Sequence, residues 1–224
     1  MDDGEPKRND DTTPTTAVFD LGGVLIDWNP RHLYRRLFDD EAAMERFLAE
    51  VTTAAWNLEM DRGRTLAEAI PELIARHPGE AERIEAWRDR WPEMLGGPIA
   101  GTVEVLAELR ARGVRLIAIT NWSAETFRYA PPRFPFLAWF DGILVSGEVG
   151  LIKPDPAIFR LLIERYRLDR ARTVYVDDSR ANVEAASALG MRAMRFTDAA
   201  ALRTALEDLG LLHVRPASRA RESR

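Results

Sequence analysis

A chain of 224 residues, 46% of them hydrophobic, is long enough for one sizeable core with room for a small second module. A formal net charge of -5 argues against a nucleic-acid or membrane-surface partner, which would draw on clustered basic residues, and leaves a small molecule as the expected partner. The absence of cysteine excludes disulfides, thiolate metal sites and a thiol nucleophile, and without a long apolar segment or leader-like start the expected location is cytoplasmic.

Residues 1–15 mix Asp, Pro, Thr, Lys and Arg and read as a tail. A buried strand is expected at 16–20, where Ala17, Val18 and Phe19 deliver Asp20 into Leu21, Gly22 and Gly23, followed by a second apolar run from Val24 to Ile26. Two glycines after a strand-end carboxylate let the backbone turn tightly and approach a bound group. Asp20 is thus either a nucleophile at the carboxyl edge of a sheet or the ordinary punctuation of a strand–turn junction.

From 28 to 96 the pattern is helical, with no expected strand, and reads as an inserted helical module that forms a lid over the edge bearing Asp20. Thr65 and Glu68 form a capping-box signature ahead of an apolar stripe of Leu66, Ile70, Leu73 and Ile74, with a kink expected at Pro71, and 80–93 predicts a further helix. Within this module Trp28, Trp56, Glu59 and Arg62 are candidates to face a substrate, since an arginine among aromatics suits a phosphorylated or sugar-like ligand. Core packing for the tryptophans and a solvated face for the charges is the competing reading.

A helix expected over 102–112 ends at Gly113, and a strand over 114–120 runs out into Thr120 and Asn121, a hydroxyl and an amide suited to oxyanion oxygens. Trp122 follows and is placed to line the entrance to the site. The strand at 142–146 leads through a glycine-containing loop to Lys153, Pro154, Asp155 and Pro156. Of 31 basic residues only Lys7 and Lys153 are lysine, so Lys153 stands where a compact ammonium is needed rather than a generic surface cation.

After a helix at 156–166, a strand at 173–177 ends in Asp177 and Asp178, with Ser179 and Asn182 following at the start of a helix over 182–189. Two adjacent carboxylates repel one another unless a cation compensates, which points to a hard divalent ion, most simply Mg²⁺; helix capping by Asp178 or Ser179 is compatible with that role. A last strand is expected at 192–196 and a tail at 213–224. Strands alternating with helices predict a parallel α/β sheet, which brings all four polar strand ends to one edge. A carboxylate nucleophile, a hydroxyl, a fixed ammonium and a metal-holding pair suit phosphoryl transfer, with Asp20 attacking phosphorus and Mg²⁺, Lys153 and Thr120 stabilising the phosphoryl oxygens.

On four ordered motifs the chain resembles the haloacid dehalogenase (HAD) superfamily of hydrolases, over nearly all of 16–210. The motifs are Phe19-Asp20-Leu21-Gly22-Gly23-Val24, Ile119-Thr120-Asn121, Lys153-Pro154-Asp155-Pro156 and Val176-Asp177-Asp178-Ser179. The resemblance implies a Rossmann-like core at 16–27 and 97–212, helices on both faces, and a small helical cap at 28–96. It implies Asp20 as nucleophile, Thr120, Asn121 and Lys153 on the phosphate, and Mg²⁺ held by Asp20, the Gly22 carbonyl and Asp178 with Asp177 nearby. The chain looks like phosphatases whose first motif reads Asp-Leu-Gly, including ones acting on glucose 1-phosphate, a resemblance that implies a small phosphorylated metabolite such as a sugar phosphate as the expected substrate.

One position departs from the family pattern. Its phosphatases usually carry a second aspartate two residues after the nucleophile as general acid and base, where this chain has Gly22. Asp27 or His32 would have to supply the proton, or the leaving group be good enough to depart without one, or the chemistry be dehalogenation, in which halide needs no proton. The Asp177–Asp178 pair weighs against dehalogenation, since the family's dehalogenases resemble metal-free enzymes. A further alternative is a weakly active phosphatase-like binding module. Nothing in the pattern sets an oligomeric state.

Overall fold

The computed structural model describes residues 13–213, so the expected tails fall almost wholly outside the described residues. The tail reading does not extend to Thr15, which is already tied to the sheet: its amide donates to the Arg172 carbonyl at 2.9 Å, and its carbonyl accepts from Arg115 at 3.0 Å.

The chain opens with β1 (Thr16–Phe19) and the short β2 (Ile26–Trp28), then passes into five helices: α1 (Arg31–Tyr34), α2 (Glu41–Glu50), α3 (Ala54–Asp61), α4 (Leu66–Arg76) and α5 (Ala81–Asp89). It returns through β3 (Leu95–Pro98), α6 (Ala100–Ala111) and β4 (Arg115–Thr120). Two short helices, α7 (Ala124–Phe127) and α8 (Ala130–Arg133), precede β5 (Gly142–Val145), and α9 (Ser146–Val149) and α10 (Pro156–Tyr166) lead to β6 (Thr173–Asp177). The remainder is α11 (Arg180–Ala188), β7 (Arg192–Arg195) and α12 (Ala199–Asp208).

Five strands form one parallel sheet in the order β5-β4-β1-β6-β7, a Rossmann-like α/β core. Alternation along β1 explains why both faces are covered. Ala17 and Phe19 join one apolar cluster with Val105 and Leu106 of α6, while Val18 joins the other with Ile158, Phe159 and Leu162 of α10. The first cluster runs on without a break into the helices between β2 and β3, taking in Leu33, Tyr34, Ile70 and Trp87.

One expectation needs correction. The stretch from 28 to 96 is not free of strand, because β3 pairs antiparallel with β2, Ile26 opposite Pro98 and Asp27 opposite Gly97. β3 reads Leu-Gly-Gly-Pro, which lacks the branched and aromatic residues that mark a strand, and only the partner strand holds it extended. At Pro71, where a kink is expected, α4 runs on without ending. The bond lost is the one to the carbonyl of Ala67, a residue on the exposed face, whereas Leu66, Ala69, Ile70 and Leu73 hold the opposite face in the core. The capping box is present, with Thr65 accepting from the Glu68 amide and Glu68 reaching back to Thr65.

Candidate active site

Because β1 lies between β4 and β6, their carboxyl ends set Asp20, Thr120 and Asp177 side by side, and Lys153 enters from the loop beyond β5. Asp20 follows directly on β1, its amide held by the Val176 carbonyl at 2.9 Å. One carboxylate oxygen accepts from the Leu21 amide at 2.7 Å and lies 2.8 Å from the Lys153 Nζ.

The ammonium of Lys153 is 2% exposed and bridges two acids, since Nζ also donates to Asp177 Oδ2 at 2.7 Å. Asn121 fixes its backbone from both sides: the Lys153 amide donates to Asn121 Oδ1 at 2.8 Å, and Asn121 Nδ2 donates to the Lys153 carbonyl at 3.0 Å. The Asn121 side chain is therefore committed to placing Lys153, which leaves its main chain rather than its amide group for a phosphate. Thr120, at the end of β4, is buried and lines the cavity above Asp20.

Asp177 is fully buried, and both of its oxygens are occupied by protein donors. Oδ1 accepts from the Ser179 amide at 2.8 Å and from Asn182 Nδ2 at 3.0 Å; Oδ2 accepts from Lys153 and from the Tyr175 hydroxyl. Burial acts to raise its pKa, but the Lys153 ammonium and these donors prevail and hold it below the ordinary carboxylate range. Asp20 has fewer donors, and burial pushes it up to about 7 against the pull of Lys153. The lysine keeps its proton because the two carboxylates outweigh its own desolvation.

Asp178 stands outside this ion pair and is exposed. Partial desolvation of its carboxyl and the neighbouring Asp177 raise its pKa. Oxygens of Asp20, Asp177 and Asp178 all lie within 4.8 Å of one another. Three carboxylates face one ammonium there, a hard, oxygen-only donor set with surplus negative charge that fits a divalent cation. Since the Asp177 oxygens are already engaged, Asp20 and Asp178 have the oxygens to offer. Gly23 makes room for them: its φ is +73°, and a Cβ there would sit 2.6 Å from Asp178 Oδ2. At Gly22, by contrast, a Cβ would meet nothing within 4 Å, so the position of the family's second aspartate is open and carries no acid.

Above these groups lies a cavity of about 440 Å³. Its lining is rich in aromatic groups, with Trp28, Trp87, Trp91 and Trp122 among the residues that bound it. Trp28 and Trp122 were expected there, but Trp56 and Arg62 are corrections. Trp56 does not line the cavity and packs edge-on against Trp87 with ring centroids 5.3 Å apart, while Arg62 is exposed and lies away from it. Glu59 likewise turns outward to Arg64. Asp27 and His32 do not reach the cavity; His32 Nε2 lies 2.9 Å from Asp27 Oδ2 in a half-exposed pair.

Unforeseen in the sequence, Asn57, Met60 and Asp61 of α3 line the cavity together. Their spacing at i, i+3 and i+4 is the signal that marks one helix face, whereas Trp56 and Glu59 lie off that face.

A doubly covered parallel sheet with a lysine-braced acidic cluster at its carboxyl edge defines an α/β enzyme. The chain belongs to the haloacid dehalogenase-like hydrolases, whose sequence model matches residues 14–190. It is 28% identical over 198 residues to the sesquiterpene phosphatase astK of Aspergillus oryzae, covering 88% of this chain and 97% of that one. Identity to the phosphoglycolate phosphatase of Cereibacter sphaeroides is 30% over 195 residues, 81% and 84% of the two chains. Among solved structures, a HAD family enzyme of Bacteroides thetaiotaomicron, determined with magnesium and inorganic phosphate, superposes with a TM-score of 0.64 at 21% identity, over 83% of this chain and 95% of that one. No helix among the described residues is long and apolar enough to cross a membrane.

Proposed function

We propose that the protein is a Mg²⁺-dependent phosphomonoesterase that works through an aspartyl-phosphate at Asp20. The observation that carries this reading is the placement of Asp20 within 4.8 Å of Asp177 and Asp178, with Lys153 between Asp20 and Asp177. A carboxylate oxygen of Asp20 attacks phosphorus, the bond from phosphorus to the leaving oxygen breaks, and water then cleaves the acyl phosphate to regenerate Asp20. Asp20, Asp178 and the Gly22 carbonyl would hold Mg²⁺, whose charge when bound would offset that of the phosphoryl oxygens. Lys153 neutralises the same oxygens and keeps Asp20 in place, and Thr120 offers its hydroxyl to them. The names of the phosphatase relatives support the reading.

For the organic part of the substrate, the wall of four tryptophans with Met60 and Leu66 favours an apolar group. Phosphoglycolate would bring a second anion, yet among the described residues no cation other than Lys153 lines the cavity. This supports a prenyl or long-chain alkyl monophosphate over the sugar phosphate expected from sequence, in keeping with the sesquiterpene phosphatase relative. Phosphate release measured on prenyl, sugar and glycolate phosphates is expected to be fastest per unit concentration on the prenyl ester and to vanish with a chelator. Unchanged release in chelator would overturn the metal-dependent reading, and chelator-resistant chloride release from a 2-haloacid would establish dehalogenation instead.

Gly23→Ala offers a narrower check of the metal-holding role. The added methyl is expected to cost about 1–2 kcal/mol for the left-handed backbone, and it displaces Asp178. Thermal melting reports the first effect, and a rise in the Mg²⁺ concentration giving half-maximal activity reports the second.

A further inference from the structure

The open position at Gly22 leaves the hydrolase without its customary proton donor, while a carboxylic acid from another part of the chain lies in the same cavity. We propose that Asp61, the last residue of α3, is the general acid and base of the reaction, which rests on the phosphomonoesterase reading above. In the first half-reaction the Asp61 carboxyl gives its proton to the leaving oxygen as the P–O bond breaks and Asp20 becomes phosphorylated. In the second, the Asp61 carboxylate takes a proton from the water that attacks phosphorus; inorganic phosphate leaves and both aspartates return to their starting forms.

Asp61 is anchored for this task from the core side. Its carbonyl accepts from Ser146 Oγ at 2.6 Å, its carboxyl group accepts from Asn57 Nδ2 at 3.1 Å, and the Ser123 amide is close enough to favour the ionised carboxyl. Ser123 lies just past β4 and Ser146 just past β5, so the loops that border the catalytic edge also hold a residue supplied by the helical module. Asp61 is 7% exposed.

Among the described residues, the charged groups facing it are few. Lys153 and the carboxylates of Asp20 and Asp178 share its cavity; Glu125 of α7 is turned to the Leu66 amide, and Glu59 of its own helix and Arg62 just beyond it lie away from the cavity. Burial pushes Asp61 up to about 7, and the Ser123 amide and Lys153 offset only part of that rise. An acid with that value is divided between its two forms near neutral pH, as a group that both donates and accepts must be. Asp27 and His32 satisfy one another outside the cavity and do not compete for the role.

The test compares the wild-type protein with Asp61→Asn on an alkyl monophosphate and on p-nitrophenyl phosphate, both with Mg²⁺. The alkyl rate is expected to fall on the order of 100- to 10,000-fold, the range for loss of general acid–base help. Nitrophenolate departs without a proton, so the aryl ester is expected to give a burst of about one equivalent per site followed by slow turnover, because the water of the second step is no longer activated. Asp61→Glu is expected to recover part of the alkyl rate. A purely structural role for Asp61 would lower both esters equally with no burst; that result, or an undiminished alkyl rate, overturns the proposal.

Should Asp61→Asn fail to fold, the wild-type protein decides alone. Rates across esters of differing leaving-group basicity are expected to vary little below pH 7 and steeply above it, and an equally steep dependence at both overturns the proposal. Asp20→Asn, run in parallel, separates the two levels: if it retains turnover, or if the wild-type protein hydrolyses no ester, the phosphomonoesterase reading fails and the role of Asp61 falls with it.

Discussion

Asp20→Asn is expected to lower turnover of every phosphate ester on the order of 10⁶-fold, the scale on which removal of a covalent nucleophile acts when site residues work as a unit. The amide matches the carboxylate in size but is a poor nucleophile. The fold should survive, because burial already works against the ionised form of Asp20 and Lys153 keeps its second partner, Asp177, at 2.7 Å. Phosphate release with a thermal melt checks both halves of the statement. Retention of a tenth of the wild-type rate with an unchanged melt would remove Asp20 from the role of nucleophile.

Lys153→Met is expected to strike stability as well as rate. With the ammonium gone, Asp20 and Asp177 share a buried site without a counter-charge, and breaking such a pair from one side costs about 3–5 kcal/mol. The sign with pH follows. In the wild-type protein the depressed pKa of Asp177 contributes stability above the unfolded-state value, and this is lost as pH falls through the folded value. In Lys153→Met the carboxylates resist ionisation instead, so the deficit is greatest at neutral pH and shrinks as the solution is acidified toward the ordinary carboxylate pKa. Urea denaturation of both proteins at pH 7 and near pH 4 measures the difference, and a constant deficit would refute it. Lys153→Arg should rescue little, because a planar guanidinium does not take the place of a compact ammonium between two oxygens.

The catalytic edge was legible because of how a parallel sheet buries its strands. Covered on both faces, β1, β4 and β6 read as continuous apolar runs, so the first polar residue after each run marks the place where the chain leaves the core. Asp20, Thr120 and Asp177 are those residues. Lys153 was legible for another reason, its isolation in a chain that otherwise uses arginine.

The wall of the cavity was less legible. α3 carries Trp56, Asn57, Glu59, Met60 and Asp61 within six positions, and which of them meets the substrate depends on how the helix docks over the sheet, a tertiary fact that composition does not encode. Trp56 and Glu59 have the chemical type suited to a substrate contact but lie off the helix face that carries Asn57, Met60 and Asp61 to the cavity. β3 escaped notice because its glycines and proline carry no strand signal, its extended form coming from its pairing with β2. Asn121, expected on the phosphate, carries a side chain spent on the Lys153 backbone, a contact that the spacing of 32 residues between the two does not suggest.

The scarcity of lysine makes this site unusually open to spectroscopy. Protein grown with isotopically labelled lysine carries only two labelled side chains, Lys7 and Lys153, and Lys153 alone lies among the described residues. Its ammonium signal reports the charge state of the ion pair directly, and a phosphoryl group arriving on Asp20 would register as a shift in that single resonance, so formation and decay of the covalent intermediate become observable in unmodified protein without a chromogenic substrate.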